Sequence, residues 1–197
     1  MPIQRAEFVC SSAEWGQCPA DRRPEVAFIG RSNVGKSSLI NMLTAQSDLA
    51  KVSGAPGKTR LINHFLINDA WYLVDLPGYG YAKLSKRERA KFDAIIQGYV
   101  LQRPNLYCMF LLLDARHAPL ANDLEFMQWM GEHEVPQALV FTKCDKLSKL
   151  QLARNMEVYR ARLLEMWEDL PPLFLTSSLQ AAGRDELVEY IESIVTQ

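Results

Sequence analysis

The sequence has almost no net charge, only three histidines and no pair of cysteines in C-x-x-C spacing. Its 22 lysine and arginine residues nearly balance 23 acidic ones, so the formal net charge is −1. This balance predicts no polyanionic partner from overall charge, and any surface for nucleic acid would have to be local. The histidines lack metal-ligand spacing. The four cysteines favour free thiols in a reducing, cytoplasmic compartment.

Long apolar segments are also lacking. The longest run, residues 106–113, is too short to span a bilayer, and residues 1–7 have no apolar centre of a signal peptide. We therefore expect no membrane association. The 197 residues are 48% hydrophobic and 23% charged, which suits one ordinary folded domain, and we expect that domain to be a monomer.

Residues 30–37, GRSNVGKS, fit the P-loop pattern G-x-x-x-x-G-K-[ST], which binds phosphate. A predicted strand precedes the pattern and a predicted helix follows it, which is the context that the motif requires. The glycines let backbone N–H groups close around an anion. Lys36 is expected to reach the β- and γ-phosphates and Ser37 to bind Mg²⁺. The predicted phosphate-binding residues of this segment are Gly30, Arg31, Ser32, Asn33, Val34, Gly35, Lys36, Ser37 and Ser38.

Predicted strands and helices alternate through most of the chain. The strands predicted over 61–67 and 71–75 flank a short turn and predict an antiparallel pair. The remaining strands are separated by helices, which predicts right-handed parallel units. We therefore expect an α/β fold, a doubly wound sheet of six mostly parallel strands with one antiparallel strand and helices on both faces. Residues 1–24 are expected to be an extension with an edge strand at 7–10, and residues 25–197 to be the nucleotide-binding domain.

Two further segments are expected to contact the γ-phosphate and its metal. In the D-x-x-G motif at residues 75–78, Asp75 is expected to hold Mg²⁺ through water and Gly78 to offer its N–H to the γ-phosphate. Thr59 lies in the loop before the predicted hairpin and is expected to join the Mg²⁺ shell, with Gly57 beside the phosphates. Without the P-loop, D-x-x-G would more often be a plain strand exit and Thr59 equally often an ordinary loop residue.

Residues 142–145, TKCD, follow a predicted strand and resemble the N/T-K-x-D motif that recognises guanine in GTPases. Asp145 is placed to accept hydrogen bonds from guanine N1–H and the exocyclic amine, which adenine does not offer there. Each bond lost would lower the affinity about tenfold or more. Lys143 is expected to lie along the base. Thr142 replaces the usual asparagine and is expected to brace the P-loop.

Ser177 and Ser178 follow the last predicted strand and resemble the S-A-x loop of small GTPases, in which a backbone N–H, here that of Ser178, donates to guanine O6. Together the five motifs resemble the small GTPase set in kind and in order. Three longer segments are similar to the EngB family of bacterial ribosome-biogenesis GTPases, within the TrmE-Era-EngA-EngB-septin-like class. These segments are GRSNVGKSSLIN at 30–41, PGKT at 56–59 and DLPGYGYA at 75–82.

The resemblance implies a P-loop GTPase fold and a protein that binds GTP and GDP with Mg²⁺, hydrolyses GTP slowly and assists assembly of the large ribosomal subunit. Tyr79 stands where Ras-like switches carry the glutamine that orients the attacking water. We therefore expect turnover of about 10⁻⁴–10⁻³ s⁻¹ without a partner. In related GTPases the asparagine that matches Asn33 coordinates K⁺, so we expect Asn33 to bind K⁺ and K⁺ to stimulate hydrolysis.

Residues 83–91 carry five cations and one acid. A charge run is most often the solvated surface of a helix, but cations at the start of a helix oppose its dipole, which suggests a partner. We hypothesise that five side chains contact phosphates of ribosomal RNA, namely Lys83, Lys86, Arg87, Arg89 and Lys91.

Three other functions remain open from the sequence. A P-loop kinase would need a second substrate site and a basic lid, and Asp145 at a guanine-reading position argues against it. A GTPase of this kind could instead act in another process, such as tRNA modification or membrane transport. The last alternative is a nucleotide-regulated binding module whose hydrolysis is incidental.

Overall fold

The structure is a computed structural model that describes residues 3–51, 61–79 and 85–196, without the side chain of Lys86. The strands in the described residues are β1 (Ala6–Ser12), β2 (Glu25–Gly30), β3 (Ile62–Ile67), β4 (Trp71–Asp75), β5 (Leu106–Asp114), β6 (Gln137–Thr142) and β7 (Leu173–Leu175). The α-helices are α1 (Lys36–Thr44), α2 (Lys86–Gln102), α3 (Ala121–Glu132), α4 (Lys149–Leu164) and α5 (Arg184–Val195).

All seven strands belong to one sheet, in the order β1-β3-β4-β2-β5-β6-β7. Neighbouring strands from β4 to β7 pair in parallel, and β3 is antiparallel to both of its neighbours. The α/β class and the antiparallel pair are therefore confirmed. The sheet has seven strands rather than six, because the edge strand expected at 7–10 extends over Ala6–Ser12 and pairs with β3.

The central strands are apolar on both sides because helices cover both faces of the sheet. On β2, Val26 and Phe28 point to the core shared with α1 and α5. The alternate residues Ala27 and Ile29 point to the core shared with α2, α3 and α4. This alternation places the end of β2, where the P-loop begins, between the two helical layers.

Capping residues set where two of these helices begin. The Ser85 side chain accepts from the N–H of Glu88, and the Glu88 carboxylate accepts from Ser85 N–H, so a capping box starts α2. Ser148 forms the same motif at the start of α4. Helix α4 ends at Leu164, where the following N–H groups turn back to the Leu163 carbonyl.

A buried carboxylate ties together the end of the sheet opposite the P-loop. Glu25 is 0% exposed and accepts from the Tyr99 hydroxyl at 2.6 Å, Arg103 Nε at 3.2 Å and Asn105 Nδ2 at 3.1 Å, with His64 Nε2 at 3.2 Å. Burial opposes ionisation, but hydrogen bonds from His64, Arg103 and Tyr99 outweigh it and lower the pKa of Glu25 to about 2. The network joins β2, β3 and the end of α2.

Candidate functional site

The P-loop turns tightly between β2 and α1. A Cβ atom on Gly30 would lie 2.8 Å from Val34 Cγ1 and 3.0 Å from Leu112 Cβ, so only glycine fits at the end of this strand. Gly35 has a φ of +104° and immediately precedes the first residue of α1, Lys36. The left-handed turn points the start of the helix, and its unpaired N–H groups, toward the predicted phosphates.

The TKCD segment, which begins at the end of strand β6, holds the P-loop. The Thr142 hydroxyl, buried with its residue, donates to the Val34 carbonyl at 2.6 Å and approaches the Leu113 carbonyl at 3.3 Å. Lys143 Nζ donates to the Asn33 carbonyl at 2.7 Å. Thr142 therefore braces the P-loop through its hydroxyl. Other GTPases usually have an asparagine amide at this position.

Lys36 and Asp75 meet where the predicted γ-phosphate and metal sites adjoin. The ammonium of Lys36 forms an ion pair with the Asp75 carboxylate, and their side chains are only 10% and 5% exposed. Burial lowers the pKa of Lys36 to about 7, and contact with the carboxylate acts in the opposite direction. Ser37 follows Lys36 in α1, so a hydroxyl and a carboxylate oxygen are available nearby. Hard oxygen donors of this kind suit Mg²⁺.

A cavity of about 590 Å³ lies beside the P-loop, and its lining includes Gly35 and four of the predicted base-binding residues, Thr142, Lys143, Asp145 and Ser178. This volume lies within the range of small-molecule and cofactor sites. Ser177 Oγ donates to Asp145 Oδ1 at 2.7 Å. That bond, with smaller contributions, lowers the pKa of Asp145 and keeps the carboxylate ionised.

Sequence reasoning missed Asp114, which orients the guanine-motif lysine. The carboxylate accepts from Lys143 Nζ at 3.0 Å and from the Nε and Nη2 of Arg116 at 2.9 and 2.7 Å. Despite partial burial, hydrogen bonds from Arg116 and Lys143 bring the pKa of Asp114 well below its usual range. Its position at the end of a buried strand was the available signal, since polar groups at such ends line ligand sites in parallel sheets.

A second missed residue is Asn41, a polar residue inside the apolar stretch of α1. Its Nδ2 donates to the carbonyls of Ser47 and Ala50 at 2.8 and 2.9 Å, and its Oδ1 accepts from Ala50 N–H at 2.7 Å. These bonds fix the segment that leaves α1. A buried amide in an otherwise apolar helix face was the signal, because buried polar groups need partners.

Tyr79, directly after the D-x-x-G motif, is anchored to helix α3. Its N–H donates to the Gly30 carbonyl at 3.2 Å, its hydroxyl donates to Asp123 Oδ1 at 2.7 Å, and its ring stacks on Phe126 with centroids 5.1 Å apart. Burial and the nearby Asp123 raise the pKa of Tyr79 well above 10. The phenol is therefore neutral and is used as a hydrogen-bond donor. Nothing in the sequence around Asp123 indicated this pairing.

Several predicted site residues lie outside the described part of the chain. These are Gly57, Thr59 and Lys83, together with the side chain of Lys86. Arg87, Arg89 and Lys91 are exposed on the first turns of α2. The structure thus brings together the P-loop, Asp75 and the guanine-motif residues at the carboxyl ends of parallel strands of the same sheet.

Comparison with known proteins shows the family to which a chain with these motifs belongs. Residues 25–143 match the family model described as 50S ribosome-binding GTPase. The probable GTP-binding protein EngB of Porphyromonas gingivalis is 57% identical over 194 residues, which cover 98% of this chain and 96% of that protein. The chain belongs to the EngB family. It is therefore a GTP-binding protein of the P-loop GTPase class, whose members hydrolyse GTP with the help of Mg²⁺.

A second relative also supports membership of the EngB family, and two solved structures share the fold. The EngB protein of Christiangramia forsetii is 53% identical over 98% of both chains. A crystal structure of a probable GTP-binding protein EngB superposes with a TM-score of 0.65 at 23% identity, over 87% of this chain and 98% of the other. Era bound to MgGDPNP and a 16S ribosomal RNA segment superposes with a TM-score of 0.67 at 21% identity, over 89% of this chain and 58% of Era. These two likenesses support the fold alone.

Within residues 3–51, 61–79 and 85–196, no helix is long and apolar enough to cross a bilayer.

Proposed function

We propose that this chain is a GTP-dependent switch that hydrolyses GTP slowly and assists assembly of the large ribosomal subunit. One observation carries the proposal. Thr142 and Lys143 hold the P-loop through hydrogen bonds, and Asp145 of the same motif lines the adjoining cavity, which is large enough for a nucleotide. The matching family model, described as a 50S ribosome-binding GTPase, supports the ribosomal partner.

Guanine selection is assigned to Asp145, with Ser177 holding its carboxylate and Ser178 beside the base. Replacing Asp145 by asparagine exchanges an acceptor for a donor, so GTP affinity should fall about tenfold or more while xanthosine triphosphate binds more tightly. Isothermal titration calorimetry measures both affinities. Asp169→Asn, an exposed site away from the cavity, is the matched control. Equal binding of ATP and GTP by the unaltered protein would contradict the proposal.

Magnesium is assigned to Ser37 and Thr59 directly and to Asp75 through water. The ion would neutralise charge on the β- and γ-phosphates. Ser37 and Asp75 supply the oxygen donors that Mg²⁺ prefers, and Lys36 lies against Asp75. Ser37→Ala should weaken GTP binding in Mg²⁺ buffer much more than in EDTA, whereas a change of equal size in both buffers would contradict the assignment.

Slow hydrolysis is supported by the position of Tyr79. Its hydroxyl is engaged with Asp123 at 2.7 Å, and a phenol cannot orient water as the glutamine amide of Ras-like switches does. Turnover without a partner should be about 10⁻⁴–10⁻³ s⁻¹. We propose that K⁺ bound at Asn33 adds the missing positive charge. Single-turnover assays in K⁺ and Na⁺ buffers test this point, and equal rates would exclude it.

The contact with the ribosomal partner is assigned to the basic residues at the start of α2. Three of its cations, Arg87, Arg89 and Lys91, are exposed, and Lys83 and Lys86 belong to the same run in the sequence. Contacts to about four phosphates would give a log–log salt slope of roughly −3 to −4. Cosedimentation with large subunits should require the GTP form, and it should weaken in a variant with alanine at both Arg87 and Lys91.

The control for that experiment replaces two exposed arginines of α4, Arg154 and Arg160, by alanine. Unchanged cosedimentation of the α2 variant, or a flat salt response, would contradict the assignment.

The Tyr79–Asp123 contact also favours a second candidate function, a nucleotide-regulated binding module with incidental hydrolysis. Large subunits that accelerate single-turnover hydrolysis would exclude that candidate.

A further inference from the structure

A second cavity of about 480 Å³ lies between α2 and α3, and we call it the α2–α3 groove. Its apolar lining comes from both helices and includes Phe92, Ile96, Phe126 and Trp129. None of the residues assigned to guanine or magnesium lines it. The volume lies within the range of sites that hold small ligands or single nucleotides.

One wall of the groove is a row of aromatic rings. The rings of Tyr79 and Phe126 stack with centroids 5.1 Å apart and an interplanar angle of 26°. Those of Phe126 and Trp129 are 5.9 Å apart at 18°. Phe126 and Trp129 remain partly exposed. Partly exposed, nearly parallel rings are a common platform for unpaired nucleic-acid bases, since every base has a π-face.

The polar residues that line the groove suit the phosphate and the base edges of a nucleotide. Arg89 is exposed at the groove and belongs to the basic start of α2, so it can bind a phosphate. Asp93 and Glu125 supply carboxylates and Gln97 and Asn122 supply amides. These groups can bond base edges, as carboxylates do with exocyclic amines. An apolar protein helix would leave these polar groups without partners.

We infer that the α2–α3 groove binds an unpaired RNA nucleotide, with its base against Phe126 and Trp129 and a phosphate on Arg89. This inference rests on the proposed RNA partner and names a site for it. The basic run at the start of α2 would contact the neighbouring phosphates. Recognition of unpaired bases by stacking is the usual way in which proteins bind RNA outside double helices.

Two residues connect this groove to the nucleotide site. Arg31 belongs to the P-loop and Tyr79 follows Gly78, and both line the groove. A backbone bridge joins Arg31 and Tyr79 directly. A structural change at the γ-phosphate would therefore reach the groove wall directly, because Tyr79 is the residue after Gly78. RNA affinity should differ between the GDP and GTP-analogue forms, and RNA should change the ratio of the affinities for the analogue and for GDP by the same factor.

The test measures binding of a fluorescein-labelled single-stranded RNA oligonucleotide to the full chain by anisotropy, with GDP and with a non-hydrolysable GTP analogue. Trp129→Ala should weaken RNA binding about fivefold or more, while Trp129→Phe should retain most of it. Arg89→Ala should weaken binding and reduce the log–log salt slope by about 0.7. The matched controls are Tyr107→Ala and Arg160→Ala, exposed residues outside the groove.

GTP-analogue binding by each variant verifies that it is folded. Unchanged RNA affinity in both Trp129→Ala and Arg89→Ala would overturn the inference, as would equal losses in the control variants. Groove variants that bind the oligonucleotide normally but no longer cosediment with large subunits would assign the groove to a protein partner and overturn the RNA assignment. The proposed function fails separately, if the unaltered protein binds no GTP or does not cosediment with large subunits.

Discussion

The buried Glu25 network predicts how stability depends on pH. The pKa of Glu25 is about 2 in the folded protein against an ordinary 4.5, a difference that corresponds to about 3 kcal/mol of folding free energy. Because the folded pKa is the lower one, this stabilisation is complete above about pH 4.5 and is lost as the pH falls toward 2. By pH 3.5 about 1 kcal/mol of it should be lost.

The substitution Glu25→Gln isolates this contribution. At pH 7 it leaves the mostly buried Arg103 guanidinium without its carboxylate, and it should lower the free energy of unfolding by about 3–5 kcal/mol. Urea unfolding followed by circular dichroism at pH 7 and pH 3.5 measures the difference in unfolding free energy between the two proteins, which should shrink by about 1 kcal/mol at the lower pH. Glu157→Gln, at an exposed site on α4, should change stability by less than about 0.5 kcal/mol. A difference that is the same at both pH values would refute the reasoning.

Three further variants test contacts nearer the site. Thr142→Val keeps the side-chain shape but leaves the Val34 carbonyl without its donor. It should lower the free energy of unfolding by about 1–3 kcal/mol and weaken GTP binding, whereas Thr142→Ser should do neither. Tyr79→Phe should lower stability by about 1–2 kcal/mol by removing the donor to buried Asp123. It should leave turnover within about twofold, because a neutral phenol is a poor general base. Gly183→Ala should cost about 2 kcal/mol or more in urea unfolding, because the residue has a φ of +73° and no space for a Cβ.

Most of the fold could be predicted because its signals are local. The short turn between two predicted strands indicated the β3–β4 hairpin, and the structure contains that antiparallel pair. The extent of β1 was less predictable. It depends on the pairing of β1 with β3, which lies about 55 residues further along the chain.

The motif residues could be identified because their chemistry fixes their spacing. The P-loop needs glycines at defined positions, and the guanine motif needs a carboxylate three residues after Thr142. Asp114 and Asp123 could not be identified in this way. Each acts on a partner 29 or 44 residues away, Lys143 or Tyr79, and only the packing of the helices and the sheet brings the partners together.

The two ends of the site hold their charged groups in different ways, and this difference bears on how a switch would work. At the base end, Asp145 is held by Ser177, and Lys143 is held by Asp114 and the Asn33 carbonyl. These groups are positioned by protein contacts, so guanine can be recognised with little rearrangement.

At the phosphate end, Lys36 contacts Asp75 with one of its three N–H donors, and the other two can bind phosphate oxygens. A change at the γ-phosphate would then act on Asp75 and the D-x-x-G segment, which leads directly to Tyr79 and α3, while the base remains held in the same way. We therefore expect hydrogen exchange to differ between the GDP and GTP-analogue forms around Tyr79 and the start of α3, and to be the same in both forms around Asp145 and Ser177.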